Sequence, residues 1–190
     1  MRDSTGSNDA ELVRRVIESD DRKAFADLVE RHQSGLRRSL RRFVRQDAAL
    51  ADDLAQECFL LAYRQLRTFR GESSFRTWLF RIGYRLFLSL IRSRAPTAEA
   101  LEDTPDIADD RHDPGSVANA FMQDFNQALA ELAPEQARAV HLSLEHGFTH
   151  AEIAVIMSIP LGTAKSHVLR GRARLQAQLA DWQDNTTEFG

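Results

Sequence analysis

Apolar side chains recur along most of this chain at intervals of three and four residues, a period that predicts helices. Asn8 or Asp9 is placed to cap a short first helix ending near Ser19. Asp20 or Asp21 is placed to cap a second running to about Val44, with Ala24, Phe25, Leu28 and Val29 on its inner side. A third is expected from about Asp47 to Leu66, where Leu50, Leu54, Cys58, Leu61 and Ala62 keep to one face. After the loop TFRGESS, a fourth from about Phe75 to Arg92 carries Trp78, Leu79, Ile82, Leu86 and Leu90. No segment alternates with the period of two that a half-buried strand needs, and no Asn-Gly or Asp-Gly pair offers a hairpin. The expected fold class is all-α.

The periodicity lapses between Ala95 and Val117. That stretch has three prolines, seven acids and few large apolar residues, too little to bury for the entropy of ordering it, and reads as a flexible linker. Helical patterning returns from about Ala118 to Leu132, breaks at Pro134 and resumes to about His146. The expected organisation is an N-terminal extension with a short helix (1–21), a helical domain (22–95), an acidic linker (96–117), a second helical domain (118–180) and a tail (181–190).

Within the second domain, Thr149 and Glu152 form a T-x-x-E capping box at the start of HAEIAVIM, predicting a helix from His150. Met157, Ser158 and Ile159 make a turn, and Pro160 suits the first position of the helix that follows. Two helices joined by so short a turn form a helix-turn-helix. On a wheel of about 100° per residue, Leu161, Ala164, Val168, Gly171, Leu175 and Leu179 share one packing face. The opposite side carries Lys165, Leu169, Gly162, Ala173, Ser166, Arg170, Thr163, Arg174 and His167. No carboxylate occurs from Ser158 to Leu175. Small residues amid cations let a backbone approach a groove while long side chains reach phosphates and base edges.

Charge sharpens this picture. The chain carries 28 acidic and 25 basic residues, yet residues 22–95 have a net charge of +9 and residues 96–117 of −6. A basic domain in a nearly neutral protein commonly meets a polyanion. Within it, Asp52, Asp53, Gln56 and Glu57 form an acidic and amide row, which suggests a protein partner with a basic surface. Next to that row, Phe69, Phe75, Trp78, Phe80 and Tyr84 alternate with Arg70, Arg76, Arg81 and Arg85, a composition suited to unstacked bases on a strand. On a helix, Phe80 and Tyr84 belong rather to the core.

Two long motifs in order then resemble one family. DDLAQECFLLAYRQLRTFRGESSFRTWLFRIGYRLFLSLIRSR is similar to the second region of the bacterial extracytoplasmic-function sigma factors, and LAELAPEQARAV with GFTHAEIAVIMSIPLGTAKSHVLRGRARL to their fourth. The resemblance spans roughly residues 20–180. It implies a promoter-recognition subunit that binds core RNA polymerase and promoter DNA, with no small-molecule substrate and no cofactor. Asp52, Asp53, Gln56, Glu57 and Phe59 match the surface that docks on the clamp helices of the largest polymerase subunit. Arg70, Gly71, Ser73, Ser74, Phe75, Arg76 and Trp78 match the element that melts and captures the −10 bases. Thr163, Lys165, Ser166, Leu169 and Arg170 match the part entering the −35 major groove, with Arg174 as a phosphate contact. Family members are often held inactive by an anti-sigma protein. Tyr84-Arg85, Ser89 and Ser166-His167 depart from the family pattern, which leaves the promoter sequence open.

The same residues also allow a stand-alone helix-turn-helix regulator, or a helical adaptor for a protein partner. An enzyme is not expected, because no Gly-rich phosphate loop or nucleophile elbow occurs. His141, Glu145, His146 and His150 invite a metal reading, but His141 and His146 lie five residues apart, not the four that put two imidazoles on one helical face, so no metal is expected. A lone cysteine, Cys58, excludes an internal disulfide and reads as a packing residue. The N-terminus lacks the apolar run of a secretion signal and no segment has the roughly 20 apolar residues of a membrane span, so no membrane insertion and a cytoplasmic location are expected.

Overall fold

The computed structural model describes residues 4–94, 125 and 127–179, all helix, turn or loop without a strand. The expected linker and tail lie outside these residues. So does most of the helix expected over 118–132, of which residues 127–130 are helical. The chain divides into two compact units.

The first unit is built from α1 (Ser4–Ser19), α2 (Arg22–Phe43), α3 (Ala48–Gln65) and α4 (Phe75–Arg94), with a 3₁₀ turn at Leu66–Thr68. Asp21 caps α2, its carboxylate accepting from the backbone N–H groups of Lys23 and Ala24, and Asp47 caps α3 through the N–H of Leu50. Both match the capping pattern of the sequence. Between them Arg45 and Gln46 take left-handed φ of 54° and 71°. No glycine marks that turn in the sequence.

Helix α2 packs against α1, α3 and α4. Leu28, Leu36, Leu40, Cys58, Leu66 and Leu79 are fully buried among them, each contributing about 1.5–3 kcal/mol by leaving water if of leucine size. Gly83 lets α4 approach closely, since a Cβ there would stand 3.1 Å from Leu36 Cδ1.

Three details differ from the sequence pattern. Asp9 does not cap α1, which begins at Ser4; it lies inside that helix, buried against α2. Helix α1 is accordingly no appendage, because Leu12, Val13 and Val16 are buried with it. On α3 the buried stripe is Ala51, Leu54, Ala55, Cys58, Phe59 and Ala62, so that Leu50 and Leu61 stand at its margin. On α4, Leu79, Phe80 and Tyr84 are core residues as expected, joined by Phe75 and Phe87, while Trp78, Ile82, Leu86 and Leu90 are only half-buried. That helix is apolar nearly all round, and period alone does not orient it.

Three further helices follow, α5 (Pro134–Leu144), α6 (His150–Met157) and α7 (Leu161–Gln178), of which α5, α7 and the part of α6 up to Ala154 belong to the second unit. Ala128, Leu129, Leu132, Val140 and Leu175 form one buried cluster, with Phe125 and Ala137 against it. Pro134 starts α5 rather than merely interrupting a helix, as its fixed φ and missing N–H allow at a first turn.

Candidate nucleic-acid interface

The capping box closes on both sides. Glu152 N–H donates to Thr149 Oγ1 at 3.3 Å, and Thr149 N–H donates back to Glu152 Oε2 at 2.9 Å. Helix α6 then ends at Met157, and Ser158 reverses the chain with a φ of 56°. Pro160 is the cap of α7, one residue earlier than the sequence suggested, with an extended ψ of 146°.

On α7 the packing face is Ala164, Val168, Gly171 and Leu175, all buried. Gly171 lies directly against the Val140 side chain of α5, where a Cβ would overlap it. Leu161, expected on that face, is the first residue of the helix and is 45% exposed. On the outward side Lys165, Leu169 and Arg170 are exposed, Leu169 to 61%, while Thr163, Ser166 and His167 are half-covered. Arg174 is exposed further along and donates to Gln136 Oε1 at 3.5 Å, which holds it near α5. The expected upstream-DNA residues therefore share one accessible, acid-free surface on a helix whose other face is anchored.

In the first unit, the loop from Phe69 to Ser74 turns at Gly71, whose φ of 71° suits glycine, although a Cβ would meet nothing within 4 Å. Arg70 and Glu72 project into solvent, 84% and 80% exposed, with their charges 4.0 Å apart. Phe69, Phe75 and Trp78 form a ring cluster, with Trp78 centred 5.3 Å from Phe69 and 5.9 Å from Phe75. Trp78 is half-buried. Phe75 is 3% exposed and meets His32 at 5.4 Å, so it holds the loop down instead of presenting a face to a base. Ser74 Oγ accepts from the Thr77 N–H at 3.0 Å, so this hydroxyl serves to start α4. Arg70, Gly71, Ser73, Ser74, Arg76 and Trp78 are left as the reachable part of the expected downstream set, Arg76 with its guanidinium 5.6 Å over the Phe80 ring.

On α3, Asp53, Gln56 and Glu57 are exposed, and Asp52 is paired with Arg37 of α2 at 3.3 Å. Phe59 is buried, only 9% exposed, and lines an apolar groove between α2 and α3. The groove holds about 530 Å³ and is lined by Phe25, Val29, Phe59, Leu60 and Tyr63, with Gln56 at its rim. Phe25 and Val29 thus line an open groove where the sequence suggested core. Leu60 is 59% exposed, and an apolar residue four places beyond Gln56 was the available signal for it.

His141 Nδ1 and Glu145 Oε2 lie 2.8 Å apart, and His146 joins them, the donor atoms of all three falling within 4.8 Å of one another. Helix α5 ends at Leu144 with Glu145 as its αR cap, and across the five-residue spacing the two imidazole rings stand edge-on at 5.2 Å. Among the described residues no helix is long and apolar enough to cross a membrane.

Family models match both units: Sigma-70 region 2 over residues 28–97 and Sigma-70 region 4 over residues 122–175. The RNA polymerase sigma-H factor of Pseudomonas aeruginosa is 32% identical over 186 residues, covering 92% of this chain and 95% of its own. The ECF RNA polymerase sigma-E factor of Escherichia coli is 33% identical over 178 residues, covering 86% and 90%. Among solved structures, the sigma factor RpoE of Bartonella quintana, in complex with the anti-sigma factor NepR, matches with a TM-score of 0.69 at 29% identity, over 83% of this chain and 98% of that one. CnrH, solved with the cytosolic domain of CnrY, shares the fold at a TM-score of 0.67 over 92% and 98%, at 24% identity.

Proposed function

The chain belongs to the extracytoplasmic-function sigma factors, which direct promoter recognition by RNA polymerase, and we propose how its surfaces divide that work. The acid-free outer side of α7 enters the major groove of the −35 element. Lys165 and Arg170 are long enough to reach base edges, Leu169 offers an apolar contact to a thymine methyl, and Arg174 meets the phosphate backbone. Thr163 and Ser166 add hydroxyl contacts near the helix N-terminus. One observation carries this reading: four cations and no acid on α7, with Ala164, Val168 and Gly171 turned away into the core.

In the first unit, Trp78 and Phe69 provide a platform for an unstacked −10 base, and Arg70 and Arg76 supply countercharge to the melted strand. Phase and shape of the loop come from Gly71, Ser74 and Phe75. Asp53, Gln56 and Glu57 dock on the basic clamp helices of the largest polymerase subunit, and the groove of Phe25, Val29 and Leu60 adds apolar burial beside them. The chain contributes recognition while the polymerase performs the chemistry, which makes it a cytoplasmic initiation factor and not an enzyme. The solved relative bound to an anti-sigma factor supports the same kind of partner for this chain.

Co-purification with bacterial core polymerase tests the division of labour. Wild-type chain is retained at moderate salt, and Asp53→Arg, an exposed change that leaves the fold intact, is lost. Retention of Asp53→Arg removes the docking assignment, and duplex binding without any affinity for core polymerase favours a stand-alone regulator.

A further inference from the structure

We propose that His141, Glu145 and His146 form a binding site for one first-row divalent cation of the zinc class, at the entrance to the helix-turn-helix. Two imidazoles and one carboxylate are a donor set that zinc, cobalt and nickel accept, whereas calcium and magnesium prefer oxygen alone. A three-ligand set of this kind leaves a further position for water.

The geometry is close to closed. All donor atoms lie within 4.8 Å of one another, and the His141–Glu145 pair is already at 2.8 Å. Bonds of about 2.0–2.2 Å place neighbouring donors roughly 3–3.5 Å apart. To admit a cation, the His141–Glu145 pair gives up its shared proton and parts by about half an ångström, and His146, whose ring lies edge-on to His141 at 5.2 Å between centroids, approaches. A side-chain rotation of the half-covered His146 supplies that approach. His141 is held in the opposite way, its side chain 2% exposed on α5, so one ligand is fixed and the others close on it.

The backbone explains how H-x-x-x-E-H becomes a site. His141 and Glu145 are a helical turn apart on one face. Past Leu144 the chain reverses at Gly147, φ 65°, where Gly147 N–H donates to Ser143 and Phe148 N–H to Leu142. His146 lies before that reversal, directly after the αR cap Glu145, with its ring edge-on to His141, and Phe148, brought back by the reversal, packs against it at 6.1 Å. Thr149, the cap of α6, follows two residues later. A bound cation therefore fastens the C-terminal end of α5 just ahead of the segment that starts the helix-turn-helix.

A hydrogen-bonded His–Glu pair alone would account for His141 as a satisfied buried polar group. The third donor makes the difference, and it makes the idea testable. The untagged full chain, stripped with a chelator, is titrated with cobalt(II) while its visible absorption is followed, then with zinc against a chromophoric chelator. One equivalent of cobalt is expected, displaced by zinc. Glu145→Gln and His146→Ala, both at accessible positions, are expected to fold as judged by circular dichroism and to lose more than the roughly 10–100-fold in affinity that a change beyond the first ligands costs. Zinc should raise the melting temperature of the wild type and leave that of His146→Ala unmoved. A wild type that takes up no stoichiometric cobalt, or a His146→Ala chain that binds as the wild type does, overturns the assignment. The outcome is independent of polymerase and DNA binding.

Discussion

Asp9 Oδ2 lies 2.8 Å from His32 Nε2, joining α1 to α2 inside the first unit, and Asp9 Oδ1 accepts from Arg31 Nη1 at 2.6 Å. One buried carboxylate thus satisfies two donors on a neighbouring helix. His32 in turn packs on Phe75, the residue that closes the loop after Phe69. The helix that reads as an extension is in this way coupled to the base of the candidate −10 element.

Replacing Asp9 by Ala leaves Arg31 and His32 without this acceptor, and is expected to cost about 3 kcal/mol of stability in urea unfolding. The contribution depends on pH. Burial pushes the Asp9 carboxyl up, but the hydrogen bonds and charges of His32 and Arg31 outweigh it and hold the group below its ordinary 3.8. A depressed folded value means stability that is fully present above the unfolded value and lost as pH falls through the folded one. The stability gap between wild type and Asp9→Asn should therefore narrow on acidification below about pH 4. A gap that stays constant there contradicts an ionised Asp9.

Cys58 is fully buried, its thiol donating to the Leu79 carbonyl at 3.5 Å. Burial, with the nearby Glu57 charge, pushes the thiol up to about 12. Because the thiolate is the reacting species, the native chain should resist a thiol reagent at pH 8 and react at one site only on unfolding. Rapid labelling of the folded chain would show that α3 and α4 separate readily.

Gly171 and Gly162 both lie in α7, and the same substitution should have opposite effects at the two. Gly171→Ala gains about 1 kcal/mol in helix propensity but drives a methyl into Val140, which is buried and stiff about χ1. Overpacking of about 1–3 kcal/mol prevails, so its melting temperature should fall. Gly162→Ala meets nothing within 4 Å and should gain about 0.5 kcal/mol. Thermal melts of both decide it, and a stabilised Gly171→Ala would mean that α5 and α7 are less closely packed.

Much of this architecture was legible because short local signals and long-range packing agree. Asp21, Asp47 and the Thr149–Glu152 box begin their helices as their chemistry requires, and Ala164, Val168, Gly171 and Leu175 are buried at their expected spacing. Phe80 and Tyr84 are core residues, as expected of them on a helix, but where apolar residues surround a helix, as on α4, the buried face is set by partners distant in sequence, which is why Ile82, Leu86 and Leu90 are only half-buried. Asp9 was read as a cap because its partners lie 22 and 23 residues away. Ser74 and Phe75 carry the residue types of a nucleic-acid loop, yet one caps a helix and the other fills the core. His141 and His146 come within ring contact despite a spacing of five, because side-chain torsions, which no helical wheel shows, bring their rings to 5.2 Å.

Arg170 is exposed on the acid-free side of α7. If it reads a base, Arg170→Ala should weaken binding to the −35 element by about 1–3 kcal/mol and relax preference at one position. Equal weakening on every sequence, measured by competition among promoter variants, would make it a phosphate contact.

The central claim is that this chain brings polymerase to a promoter through both units at once. Run-off transcription with core polymerase, on promoters recovered by sequencing the DNA bound to the reconstituted holoenzyme, tests it most directly. The expected result is a transcript that requires the chain and is lost both with Asp53→Arg and when the −35 element is scrambled. Transcription unchanged by adding the chain, or unaffected by either alteration, would contradict it.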